Sequence, residues 1–142
     1  MSVKSVQFAV ATHIMVTLGY FHREEISSAT LADSVNADPT FVRKSLSKLS
    51  KAGLVVTKRG KSGASVLARP PRRITLLDIY RASGAPPAFA IHSYPADKRC
   101  PVSCNLKECM AGVLSQAQHS FERSLAKITL ASLIWQIREK AR

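Results

Sequence analysis

Apolar positions recur every fourth residue from near the start of the chain. Val6, Val10, Ile14 and Leu18 form a stripe that Ala9, Met15 and Phe21 widen, which is the pattern of an amphipathic helix. Ser5 is placed to cap it, and the segment from Gly19 to His22 ends it. A second helix is predicted over 27–35, entered through Ser27, Ser28 and Thr30 and turned inward by Leu31, Ala32 and Val35. It stops at Asn36-Ala37-Asp38-Pro39. There Asp38 can cap a third helix whose first position holds Pro39, where the missing N–H costs nothing. That helix runs to about Ala52, buries Val42, Leu46 and Leu49, and meets a C-terminal stop at Gly53.

After the helices the periodicity shortens. Leu54 to Arg59 and Ser65 to Arg69 are β-prone runs separated by Gly60-Lys61-Ser62-Gly63-Ala64, which predicts a hairpin. Two short helices at a tight turn, followed by a hairpin, make a helix-turn-helix with a wing. Pro70-Pro71 ends the sheet, and a further short helix opens at Thr75, a natural N-cap for Leu76-Leu77-Asp78-Ile79-Tyr80. The segment from Ser83 to Arg99 is rich in Pro, Gly and Ser and reads as a loop anchored by Phe89, Ile91 and Tyr94. Beyond it the longest periodic stretch runs from about Pro101 to Lys140. Met110, Leu114, Ala117, Phe121, Leu125 and Ile128 share one face. A helix of about thirty residues is roughly 45 Å long and outreaches a small globule, so its apolar stripe predicts a second copy of the chain as partner, the alternative being a helix folded back over its own domain. The fold expected is mostly α with a small β-hairpin wing. It comprises a winged helix-turn-helix domain over 1–83, a cysteine-bearing loop over 84–109 and a dimerisation helix region over 110–142.

Charge sharpens this picture. The 142 residues carry 21 Lys plus Arg against 9 Asp plus Glu, a formal net charge of +12. Between residues 39 and 77 there is no acid, while Arg43, Lys44, Lys48, Lys51, Lys58, Arg59, Lys61, Arg69, Arg72 and Arg73 all fall there. The other eleven basic and nine acidic residues nearly balance. A solubilising surface does not concentrate its excess in this way, whereas a phosphate-contacting face does, because each neutralised phosphate releases counterions. Thr40, Arg43, Lys44, Ser47, Lys48 and Lys51 lie away from the apolar stripe of the third helix and form the face expected in a major groove. Lys58, Arg59 and Lys61 sit at the wing. No run approaches the ~18 apolar residues of a membrane span, so a cytoplasmic protein without membrane contact is expected. Neither a glycine-rich phosphate loop nor a nucleophile-base pair stands out to suggest an enzyme.

In order, Thr30-Leu31-Ala32, Leu46-Ser47-Lys48-Leu49-Ser50-Lys51-Ala52-Gly53-Leu54-Val55, Arg59-Gly60-Lys61-Ser62-Gly63-Ala64, Leu67-Ala68-Arg69-Pro70-Pro71 and Ile74-Thr75-Leu76-Leu77-Asp78-Ile79 precede a cysteine-bearing loop and a long helix. Over nearly the whole chain this order resembles the Rrf2 family of bacterial winged-helix regulators, of the IscR, NsrR and CymR type. The resemblance implies a homodimeric transcription factor, usually a repressor, on double-stranded DNA with a pseudo-palindromic operator. It places Thr40, Lys44 and Ser47 at the major groove, Arg59 in the wing, and Lys4 and Ser5 near phosphates. The wing departs from the family pattern, with Gly63-Ala64-Ser65-Val66 where consecutive glycines followed by Tyr are common.

Cys100, Cys104 and Cys109 are too clustered and too few to staple a fold. Cluster-binding members of the family hold an iron-sulfur cluster on three cysteines of this loop and a fourth ligand from elsewhere, for which His13 and His22 are the candidates on the first helix. The tight spacing, and the lack of a carboxylate before Glu24, point instead to a branch without a cluster or other cofactor. There, Cys100-Pro101-Val102 opens the long helix with Cys100 at its N-cap. The helix dipole and Lys98, Arg99 and Lys107 would stabilise a thiolate, the setting of a reactive sensor cysteine with Cys104 one turn away to resolve it. A purely structural role for the three cysteines is the third possibility. From a different class, a basic module binding nucleic acid without sequence preference, or binding another protein, also accounts for the charge.

Overall fold

A computed structural model of the chain describes residues 5–22, 24–58 and 63–142. The elements are α1 (Gln7–Tyr20), α2 (Ser28–Val35), α3 (Pro39–Lys51), β1 (Val55–Thr57), β2 (Ser65–Leu67), α4 (Leu76–Ala82), α5 (Pro101–Ala126) and α6 (Leu130–Lys140), with a 3-10 turn at Pro71–Arg73 before α4. Two compact units result, one of residues 1–85 with 125–142 and one of residues 86–124.

In the first unit α1 is the hub, packing on α2, α3, α4, α6 and β2. Its sequence is apolar almost all round, which suits a helix enclosed on several sides. Ile14 and Met15 are fully buried, and Phe8 meets the ring of Tyr80 on α4 edge-on at 5.3 Å. Val6 and Phe21, expected in its core stripe, are instead exposed at the two ends. Ser5 does not cap it either: Val6 holds the N-cap position without a side-chain bond, while Ser5 Oγ donates to Gln7 Oε1.

Local chemistry sets the other boundaries. Ser27 accepts the Thr30 N–H at the start of α2. α3 ends where Gly53 takes φ +77° and its N–H donates to the Ser50 carbonyl, while that of Leu54 donates to Leu49; glycine adopts this left-handed geometry without steric cost. β1 and β2 pair antiparallel with Val56 opposite Val66, and Ser65 donates to the Ile26 carbonyl, which ties the hairpin to the entry of α2. Thr75 and Asp78 form a reciprocal capping box at α4.

The C-terminal periodicity is two helices, not one. α5 stops at Ala126, and Ile128 to Leu130 runs antiparallel to Ile74 to Leu76: Leu76 N–H donates to Ile128 O and Leu130 N–H to Ile74 O. Thr129 then caps α6 by accepting the Ser132 N–H. With Leu130 and Ile134 buried, α6 packs on α1. The dimerisation region expected over 110–142 therefore divides near Leu125, and residues 125–142 fold with the winged helix. Leu125 closes the α5 stripe but is buried within its own chain, and Ile128 lies in the connecting segment, beyond the helix that carries Met110.

In the second unit the loop folds along α5. The Ala88 N–H donates to Gln118 Oε1 at 2.9 Å, the Tyr94 hydroxyl to the Ser103 carbonyl at 2.9 Å, and the Asp97 N–H to Ser103 Oγ at 2.8 Å.

Candidate nucleic-acid interface

α3 has one buried face and one basic face. Val42, Ser45, Leu46 and Leu49 point inward; burying an aliphatic side chain of this size contributes about 1.5–3 kcal/mol, which fixes the rotation of the helix. Thr40, Arg43, Lys44, Ser47 and Lys51 are exposed on the other side, at the i, i+3, i+4, i+7 and i+11 spacing of a single helical face. The N-terminal end is held by Asp38, whose Oδ1 accepts the Thr40 N–H at 2.7 Å. The backbone N–H groups of Thr40 and Phe41 hold the Asp38 carboxyl below the usual carboxylate range, with a smaller contribution from Arg43. Arg43 also reaches Thr40 Oγ1 at 3.4 Å. A helix end that presents Thr, Arg, Lys and Ser side chains outward can contact both phosphates and base edges.

The remaining predicted contacts are less uniform. Lys48 is exposed, but its amine lies beside the backbone at the end of α4, where a Cβ built on Gly84 would meet Nζ at 3.1 Å. Lys58, at the root of the wing, forms an ion pair with Glu25. Ser5 is exposed. Lys4, Arg59 and Lys61 lie outside the described residues.

All three cysteines are free thiols; Cys100 is half-buried, and Cys104 and Cys109 are exposed. Cys100 precedes the first residue of α5, and its Sγ accepts the Ser103 N–H at 3.4 Å, the position of a capping side chain. Cys104 Sγ donates to the Asp97 carbonyl at 3.2 Å. At about 100° per residue, Cys109 lies about 140° round the helix from Cys104.

The sequence profile of the Rrf2 family, described as iron-dependent transcriptional regulator, matches residues 4–136. The chain belongs to the Rrf2 family. YwnA of Bacillus subtilis (strain 168), an HTH-type transcriptional regulator by name, is 35% identical over 129 residues, spanning 90% of this chain and 94% of YwnA. Among solved Rrf2-type structures, T. potens IscR aligns with a TM-score of 0.71 at 24% identity, over 100% of this chain and 92% of that one. CymR (YrzC), the global cysteine regulator of B. subtilis, aligns with a TM-score of 0.67 at 23% identity, over 96% of this chain and 98% of CymR. This Rrf2 chain is thus a DNA-binding transcriptional regulator of winged-helix fold. No helix among the described residues is long and apolar enough to cross a membrane.

The family's description raises iron, and the donor set answers geometrically. Cys109 faces a different side of α5 from Cys104, and no group of three or more His, Cys, Asp or Glu side chains among the described residues is arranged to hold a metal ion. Among the described residues of a single copy, the three cysteines do not form a ready iron-sulfur site.

Two features escaped the sequence. A groove of about 700 Å³ runs between α1 and α6, walled by Phe8, Val16, Tyr20, Leu133 and Ile137 among others. Its signal was the second apolar face of α1, too continuous for one stripe. On α5, Val102 and Val113 are 64% and 58% exposed, while Met110, Leu114, Ala117 and Phe121 are only partly so; Leu114 lines a shallow cleft with Pro87 and Phe89 of its own loop.

Proposed function

We propose that this regulator acts as a homodimeric repressor on a pseudo-palindromic operator, with α3 of each copy in a major groove and the wing at the flanking phosphates. The observation that carries the proposal is the exposed face of Thr40, Arg43, Lys44, Ser47 and Lys51 within a stretch of 39 residues free of acid. Dimerisation is supported by complementary unpaired surfaces. The exposed apolar side of α5 from one copy suits the apolar groove between α1 and α6 of the other, and covering both removes hydrocarbon from water.

The cysteines at the start of α5 supply the signal by thiol oxidation, not through a cluster. A peroxide is attacked by the Cys100 thiolate, its O–O bond breaks, and Cys100 becomes a sulfenic acid as water or alcohol leaves. The Cys104 thiol then displaces water to form a disulfide. Either product turns the thiolate Sγ that accepts the Ser103 N–H into a neutral, bulkier and weaker acceptor, so the first turn of α5 must rearrange. Support comes from the capping position of Cys100 and its neighbour one turn on. Cys109 has no part in the step.

Selection of bound fragments from a random DNA pool tests the DNA reading. Recovery of two inverted half-sites about one helical turn apart, ~34–36 Å, is the expected result; enrichment without inverted symmetry, or none at all, overturns it. Cys100→Ser is expected to retain operator binding and to lose its sensitivity to peroxide.

A further inference from the structure

The second face of α6 is not used by any role assigned above. Its centre is Trp135, the only tryptophan in the chain, which is 63% exposed. Beside it runs a cleft of about 400 Å³ lined by Gly19, His22, Pro71, Arg72, Ile134 and Arg138, among others. An adjoining cleft of about 320 Å³ shares His22 and Pro71 and extends past Arg69 to the strand residues of β2. The two form one open groove bordered by the end of α1, the 3-10 turn and α6, all within the first unit. Among the described residues, its walls do not include α3.

The groove is built, not incidental. At Gly19 the side chain of Ile134 occupies the space a Cβ would need, so α6 is pressed onto α1 and forms the floor. Arg138 is held in place on the rim, its guanidinium 4.6 Å from the Tyr20 ring centroid and its Nη2 donating to the Tyr20 carbonyl at 2.9 Å. Arg72 stands exposed across from it on the 3-10 turn. Acidic neighbours are few and engaged: Asp78 faces Arg69 at 3.9 Å, and Glu139 pairs with Arg142 at 3.3 Å. No acid lines either cleft.

We infer that this groove docks an acidic segment of another protein, with one large apolar or aromatic side chain seated against Trp135 and Pro71 and its carboxylates facing Arg72 and Arg138. Tryptophan and arginine are the side chains that most often dominate protein–protein binding energy, and arginine forks match carboxylates in geometry. Small-molecule sites enclose most of their ligand; this groove is open along its length and suits an extended chain. A DNA face would present polar groups to phosphates, whereas this floor is tryptophan, proline, alanine and isoleucine.

Trp135 is its own reporter. Full-length protein is titrated with a synthetic peptide of Glu and Asp carrying two Phe residues. Two control peptides have Lys in place of the acids or Ser in place of Phe. Expected is a saturable change in tryptophan emission with the first peptide, at least about tenfold weaker affinity for each control, and a loss of about tenfold or more in Arg72→Glu. A labelled peptide followed by anisotropy is expected to bind Trp135→Phe and not Trp135→Asp, both checked for an unchanged melting transition. Equal response to all three peptides, or none, overturns the inference. So does the same emission change when operator DNA is added to the Lys44→Glu variant, which would make the groove a DNA surface. A change in sedimenting mass for Trp135→Asp would make its occupant a second copy, and also overturns it.

Discussion

α3 and α5 are the two helices on which this regulator turns, and they differ in how far the chain itself finishes them. α3 spans 13 residues, four of them buried, and both its ends are capped by its own neighbours. α5 is twice as long at 26 residues, about 39 Å, yet Leu125 at its far end is its one buried residue. The first is a rigid mount for a basic face. The second is a rod that leaves Val102 and Val113 mostly exposed within one chain. On the proposed function, recognition is built into the monomer, and regulation is left to whatever covers or rearranges the rod.

The largest expected effect tests the rigid half. Leu49→Ala removes a fully buried side chain and is expected to cost about 2–5 kcal/mol, read from urea unfolding. The equivalent truncation Val113→Ala on α5 should change the stability of an isolated copy by less than about 0.5 kcal/mol. If the two cost the same, the contrast between the helices is wrong. Next in size, Arg43→Ala or Lys44→Ala should weaken operator binding by about 1–3 kcal/mol in a fluorescence-anisotropy titration without moving the melting temperature. Val113→Asp should do the converse, leaving the fold intact while shifting sedimentation toward the monomer. Thr75→Ala, which removes one side of the α4 capping box, should cost about 1 kcal/mol.

The smallest effect is a pH dependence at the head of α3. The Asp38 carboxyl is held below its ordinary range mainly by backbone N–H groups of Thr40 and Phe41, so the folded state favours its ionised form. That stabilisation is fully present above the unfolded carboxylate range and is lost as pH falls through the depressed folded value. Asp38→Asn, which keeps a capping oxygen, should flatten this part of the acid limb in a series of thermal melts. An unchanged acid limb would remove Asp38 from the account of how α3 is held.

The contrast also explains what the sequence made legible. Asp38-Pro39, Gly53, Ser27 and Thr75 are local signals, each acting within a few residues, and the elements they bound fall where the pattern put them. The basic face of α3 was readable for the same reason, since burial of Val42, Leu46 and Leu49 fixes the opposite side. What failed depended on distant contacts. The break at Lys127 to Thr129 arises from pairing with Ile74 to Leu76, some fifty residues away, so a continuous four-residue spacing could not reveal it; the cap pair Thr129 and Ser132 was the local clue. Val6 and Phe21 match the core spacing of α1 but lie beyond the elements that bury it. Cys100, Cys104 and Cys109 are adjacent in sequence, yet helical rotation turns Cys109 away from the other two.

The mass of the protein–DNA complex tests the central claim most directly, because it joins the finished helix to the unfinished one. Light scattering on a selected operator fragment should give two chains per duplex for the native protein. Val113→Asp should lose that stoichiometry and most of the affinity while retaining the native melting transition. A native protein that saturates its operator as one chain per duplex, or a Val113→Asp variant that still binds as two, would contradict the account.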